Sequence, residues 1–386
     1  MFKKTLAGLA VAGLFSGAAM AADVNVYGVV DLGLMYNHKK TDITDQATVK
    51  DDSLVMKSGQ NAGSRFGLRG SEDLGNGMTV SFKLENGFDA DSGKLGQDGR
   101  LFGREASLTL SGAFGQVSFG RMGGVASAAG TYDYVYAIGD AFDGFDNDIG
   151  GLVQSGRYDN MITYQTPEFA GMKVLAQYSF KNNTVADADG KGAEGNEGKS
   201  NTNRYASLAA VGQYGNLNLV AAYELQNFRH VSMTDSVVAD RGQHNDDQHT
   251  FYVGGNYDFG VTKVFALGQA FQNARELNNL GALGEEDGVD GYGLQLGAQT
   301  PLAGGLLTTA FYYAHGETDN ATTENKSDYY GLAARYEYSL SKRTTVYGGA
   351  GYAQEKVKNN PRAAETANTK EDYDRVQAYV GLKHTF

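Results

Sequence analysis

Residues 24–34 read VNVYGVVDLGL, and the order of side chains in that run decides the fold. Val24, Val26, Val30, Leu32 and Leu34 fall on one parity, and Asn25, Tyr27 and Asp31 on the other. A period of two describes an extended strand with one apolar and one polar face. The pattern recurs along the chain. Phe66 and Leu68 oppose Arg65 and Arg69, and Val80, Phe82 and Leu84 oppose Ser81, Lys83 and Glu85. Leu217, Leu219, Ala221, Tyr223 and Leu225 oppose Asn218, Glu224 and Gln226. Near the end, Val376, Ala378, Val380, Leu382 and Phe386 oppose Gln377, Lys383 and Thr385. Segments near 204–213 and 262–273 have no clear facing.

Between these segments the connections alternate in length. Tight ones carry Gly, Asn or Pro, as in Leu74-Gly75-Asn76-Gly77 and Asp258-Phe259-Gly260, residues that reverse a strand within a few positions. Long polar ones cover 38–60, 181–203, 229–248, 274–289, 318–326 and 357–371. About sixteen strands result, an even number with short turns at one end and long loops at the other. A secreted β-sandwich or β-helix shares the alternation. In hydrocarbon, however, each unpaired backbone group costs several kcal/mol, so a membrane-spanning sheet must close on itself. The fold expected is all-β, a 16-stranded antiparallel transmembrane β-barrel, wide enough to hold water.

The start of the chain supplies an address. Lys3 and Lys4 precede the apolar run LAGLAVAGLF (6–15), too short to span a bilayer as a helix, and Ala19-Met20-Ala21 fits a signal-peptidase site. Residues 1–21 are expected to be a cleaved signal peptide, with the barrel in 22–386. Losing two lysines takes the net charge from −12 to −14, a poor match for nucleic acid. With no cysteine, thiol catalysis and Cys-ligated metals are excluded. A mean hydropathy of −0.39 suits a chain whose apolar residues alternate with polar ones.

Several longer stretches resemble Gram-negative general porins of the betaproteobacterial and neisserial type. They are VNVYGVVDLGL, SRFGLRGSEDLGNG (64–77), FGREASLTLSGAFGQVSFGR (102–121), YQTPEFAGMKV (164–174), YEYSLSKRTTVYGGAGY (336–352) and VGLKHTF (380–386). The resemblance implies a homotrimer in the outer membrane, in contact with lipid and lipopolysaccharide and delivered by the barrel assembly machinery, which reads Phe386. It also implies a third loop folded into the pore, and passive diffusion of ions and small hydrophilic solutes. The loop corresponds to the segment from Met122 to Asp159, with Asp133, Asp140, Asp143, Asp146 and Asp148 as candidate carboxylates at the constriction. Opposite it the family places basic residues. Arg65 matches by motif, and alternation points it inward together with Lys83. Arg104 matches by motif, but alternation groups it with outward Ala106, Leu108 and Leu110, so either a bulge intervenes or it sits at the rim or trimer interface. Where relatives carry a basic residue this chain has Thr163, with Arg157 a partial substitute. Facing rows of opposite charge would sort solutes. The acidic loop and negative chain lead to an expectation of weak cation preference.

Tyr27, Tyr36, Phe259, Tyr338 and Tyr347 are candidates for aromatic girdles. No catalytic residue, cofactor or metal site is expected. The sequence has no G-x-S-x-G, H-E-x-x-H or P-loop pattern, and His244 to His249 lie in a polar connection. A barrel enzyme and an adhesin are the alternatives from other classes; among channels, the alternative is a substrate-specific one with saturable flux.

Overall fold

The computed structural model describes residues 23–144, 149–150, 153–182, 197–198, 202–228, 246–275, 277, 283, 288–319, 323–362 and 368–386. The signal segment lies outside them. The strands are β1 (Asp23–Ile43), β2 (Val49–Ser58), β3 (Arg65–Gly75), β4 (Met78–Gly87), β5 (Glu105–Gly112), β6 (Gly115–Gly123), β7 (Arg157–Gln165), β8 (Met172–Ser179) and β9 (Arg204–Tyr214). They continue as β10 (Leu217–Asn227), β11 (Gln248–Asp258), β12 (Lys263–Ala274), β13 (Val289–Leu302), β14 (Gly305–Asp319), β15 (Thr323–Ser339), β16 (Thr344–Pro361) and β17 (Thr369–Thr385). A one-turn helix, α1 (Val135–Gly139), lies between β6 and β7.

Each strand runs antiparallel to its neighbours, and β17 pairs with β1 from Val29↔Thr385 to Ile43↔Glu371, which closes the sheet. On its other edge β1 pairs with two strands in succession, β2 from Leu32↔Ser58 to Thr41↔Val49 and β3 from Asp23↔Ser71 to Val29↔Arg65. These two are halves of one stave, interrupted by residues 59–64. Seventeen strands therefore form a closed barrel of sixteen staves.

The interruption is held by Asp31, whose Oδ2 accepts the backbone N–H groups of Asn61 (2.8 Å) and Ala62 (2.6 Å) while Oδ1 accepts the Tyr347 hydroxyl. Segment 38–60, expected as a loop, is mostly strand: β1 runs on to Ile43 and β2 returns from Val49. His38 faces Asp52 and Lys39 faces Asp51 across this hairpin. Above the membrane both faces meet water, so alternation vanishes while the strand continues.

Alternation holds within the belt. Val26 is 66% exposed and Leu34 47%, whereas Asp31 between them is fully buried. Leu108, Phe119, Val253, Leu332 and Val380 are likewise exposed. Apolar exposure on this scale would be unusual for a soluble monomer and fits a lipid-facing wall. Of the proposed girdle residues, Tyr36, Phe259 and Tyr338 are exposed. Tyr27 and Tyr347 instead lie on the inner face, where their hydroxyls donate to Glu85 (2.8 Å) and Asp31.

Candidate pore site

The described residues of the connection from β6 to β7 (loop 3), 124–144, 149–150 and 153–156, lie on the face of the wall opposite the apolar belt. Inward-facing side chains of distant strands hold its backbone. Tyr205 Oη of β9 accepts the Val125 N–H (3.2 Å), and Tyr252 Oη of β11 donates to the Val153 carbonyl (3.0 Å). Asn256 donates to the Ile138 carbonyl (2.7 Å), Gln299 of β13 to that of Ala141 (2.6 Å), and Tyr329 of β15 to that of Ile149. A buried loop is tolerable only when its peptide groups find partners, and here the wall supplies them. Glycines open the wall beneath it. A Cβ at Gly351 would stand 2.4 Å from Ile149 Cγ1, and one at Gly297 2.6 Å from Ala141 Cβ. The largest buried clusters, including Val125, Tyr136, Tyr252, Leu267, Ile149 and Tyr312, form between loop and wall.

This packing decides where the candidate carboxylates go. Asp133 is buried and accepts the N–H groups of Ala129 (2.8 Å) and Tyr136 (3.2 Å), fixing the turn into α1. Asp140 is buried and accepts from Phe142 N (3.0 Å), Gly144 N (2.9 Å) and the Tyr312 hydroxyl (3.2 Å). Both fasten the loop and present little charge to the lumen. Asp143 is half-buried and lies within electrostatic reach of Arg65. Its carboxyl meets that of Asp133; burial and the Asp143 charge push Asp133 well up, and burial pushes Asp143 up to about 6. Asp146 and Asp148 lie outside the described residues.

Three of the candidate basic residues gather on β3, β4 and the chain entering β5, and the fourth, Arg157, opens β7. The Arg65 guanidinium donates to the Gly63 carbonyl (2.9 Å) and stands 3.7 Å from Glu85 Oε2. Lys83 Nζ lies 2.8 Å from Glu105 and 3.7 Å from Glu85, and donates to Thr131 of loop 3 (3.1 Å). Arg104 is buried, with Nε donating to Glu85 (2.7 Å). Strand β5 begins one residue later, so alternation never governed Arg104, and its side chain turns inward. Arg157 donates to the Ala128 carbonyl of loop 3 (3.3 Å). Thr163 is buried against Met122 and Gln177 and faces no open lumen.

The sequence reading missed the acids that offset part of this wall's charge. Glu85 and Glu105 lie directly opposite in register, and each binds cations. Glu85 had shown its inward facing by sharing a parity with Lys83. Glu105 could have been found as the neighbour of Arg104 that opposes Ala106 and Leu108.

The Gram-negative porin family matches residues 8–359. The chain belongs to the Gram-negative porins. This porin is similar to an outer membrane porin protein of Bordetella pertussis, 32% identical over 91% of this chain and 94% of the relative. It is also similar to outer membrane porin protein 32 of Delftia acidovorans, 29% identical over the whole of both chains. Among solved structures, the anion-selective porin from Comamonas acidovorans superposes with a TM-score of 0.61 at 24% identity, over 95% of this chain and all of that one. OmpT of Vibrio cholerae, in a trimer form, superposes at 0.58 and 17% identity, over 95% of this chain and all of that one. The porin is thus an outer-membrane protein whose barrel forms a water-filled channel for passive diffusion. Its relatives are channels rather than enzymes. Among the described residues no cluster of His, Asp and Glu suits a metal ion.

Proposed function

We propose that loop 3 narrows the lumen to a charged neck against the wall of β3, β4 and β5, and that this neck favours small anions over cations. The disposition of charge carries the reading. Of the described loop carboxylates, Asp133 and Asp140 are turned into the loop amides, Asp133 within electrostatic reach of Arg157, while Asp143 lies toward Arg65. The wall carries Arg65, Lys83, Arg104 and Arg157 against Glu85 and Glu105. The surplus is positive, so the weak cation preference expected from composition is reversed. Similarity to a porin named anion-selective agrees in sign. A reversal-potential measurement across a planar bilayer under a KCl gradient tests this: chloride should carry more current than potassium, and clear potassium preference would refute it.

The functional unit in this reading is a homotrimer, made after cleavage behind Ala21 and seated among outer-membrane lipid and lipopolysaccharide. OmpT, a fold neighbour, has a trimer form. Among the described residues β2 has a register with β1 alone, and Leu54 and Met56 on it are exposed, which supports cover by a second copy. Closures in steps of one third would mark the trimer. Phe386 exchanges both backbone hydrogen bonds with Gly28 (3.1 Å each), and the assembly machinery would read this residue before the barrel seals.

A further inference from the structure

The inner wall holds a second cationic feature on the turn side of loop 3, which shares Lys83 with the neck and adds Arg69. In register, Arg69, Lys83 and Ser107 form one inward row, and Ser71, Ser81 and Thr109 form the next row toward the turns. Together with Asn25, Thr131 and the carboxylate of Glu105, which Lys83 holds, they line a recess of about 350 Å³ open to the lumen. That volume is at the lower end of those that hold small molecules.

Placing two cations directly across a strand pair costs stability, so the arrangement calls for an explanation. Lys83 is compensated by Glu105 at 2.8 Å. Arg69 is not: among the described residues no carboxylate lies within ion-pair distance of it, and its guanidinium rests 5.0 Å over the Tyr27 ring. The side chain is exposed, so its fork of N–H donors opens onto the recess beside a row of hydroxyls.

A guanidinium fork matches the two oxygens of a carboxylate or phosphate, whereas chloride offers only a point charge. We infer that Arg69 and Lys83, with Ser71, Ser81 and Thr109, form a docking station for small oxyanions on the turn side of the neck. The guanidinium takes two oxygens, Lys83 Nζ approaches a third, and the hydroxyls donate to the remainder. Flux of carboxylates and phosphates would then saturate while that of chloride stays linear. This rests on the reading of the lumen as a conducting path and adds a substrate class to it.

The test is single-channel recording in planar bilayers with inorganic phosphate titrated into KCl. In the wild-type porin, phosphate should reduce chloride current along a saturating curve. In Arg69→Gln the half-saturating phosphate concentration should rise about tenfold or more, the scale of losing hydrogen bonds to a charged group. Arg69→Lys keeps the charge and loses the fork, and it should restore chloride conductance without restoring phosphate affinity. A wild-type chloride current that phosphate leaves unchanged, or reduces without saturating, would overturn the station, as would a lysine variant with the wild-type half-saturation. Absence of any conductance would instead overturn the channel reading beneath it.

Discussion

Glu85→Gln separates the electrostatic role of the wall from its packing. The Glu85 carboxylate accepts from Arg104 Nε at 2.7 Å and from the Tyr27 hydroxyl at 2.8 Å, and stands 3.7 Å from both Arg65 and Lys83. Glutamine keeps an acceptor in place, so the loss is the difference between charged and neutral hydrogen bonds, about 1 kcal/mol for each of the two. Glu85→Ala would strand buried Arg104 and cost about 3–5 kcal/mol. For conduction, the glutamine adds one net positive charge to the wall. At roughly 7 Å from a passing ion, in water, one unit charge is worth ~0.6 kcal/mol. Screening at 0.1 M salt cuts that by about half. The effect has opposite signs for anion and cation, so their permeability ratio should shift toward anions about two- to threefold. Reversal potentials at 0.1 M KCl read this ratio, and at 1 M KCl, where the screening length is ~3 Å, the shift should nearly vanish. A ratio unmoved at low salt, or moved equally at both salts, would refute the electrostatic argument. Denaturant unfolding in detergent, followed by tyrosine fluorescence, checks the stability ordering.

Three further outcomes follow from the geometry. Burial raises the Asp143 carboxyl to about 6, above its ordinary 3.8, so the folded loop binds this proton more tightly than the unfolded chain. The loop therefore gains stability as pH falls through 6, and the lumen loses a negative charge; anion preference should rise between pH 7.5 and 5, and Asp143→Asn should remove that step in reversal potential. At Gly351 a new side chain would meet Ile149 Cγ1 at 2.4 Å, so Gly351→Val should lever loop 3 off the wall at a cost of about 1–3 kcal/mol and raise single-channel conductance; unchanged conductance would count against a loop-made neck. A Cβ at Gly28 would stand 2.3 Å from the Phe386 ring and 2.7 Å from the Arg65 carbonyl, so Gly28→Leu should lower the folded fraction seen as heat-modifiable gel mobility.

Legibility of the fold followed the solvent on each face. Where lipid lies outside and water inside, as in β1 and β4, alternation gave facing residue by residue, and it put Arg65, Lys83 and Glu85 in the lumen. Where water lies on both sides, the signal vanished, and the upper hairpin of β1 and β2 passed for a loop. At Arg104 motif and alternation disagreed and the facing stayed open, because the residue stands one position ahead of β5, where the period does not apply. Tyr27 and Tyr347 were assigned to girdles by residue type, although Tyr27 shares a parity with Asp31; both are hydrogen-bond donors to buried carboxylates.

The ambiguous strands have a single cause. Tyr205, Ala209, Phe265 and Leu267 face inward and are buried, because loop 3 or its neighbours cover that part of the wall. A strand covered on its inner side by protein and facing lipid on its outer side is apolar on both faces, so it loses its period for the same reason a buried parallel strand does. The loss of alternation on β9 and β12 is therefore itself a record of where the loop packs. The charge expectation from composition and the proposed anion preference part on related ground. Net charge is a property of the whole surface, but an ion in the lumen responds to the few charges left uncompensated beside it. Asp133 and Asp140 count fully in a composition and little in the lumen, because both are buried and turned into the loop, while Arg69 counts once in the composition and has no carboxylate partner among the described residues.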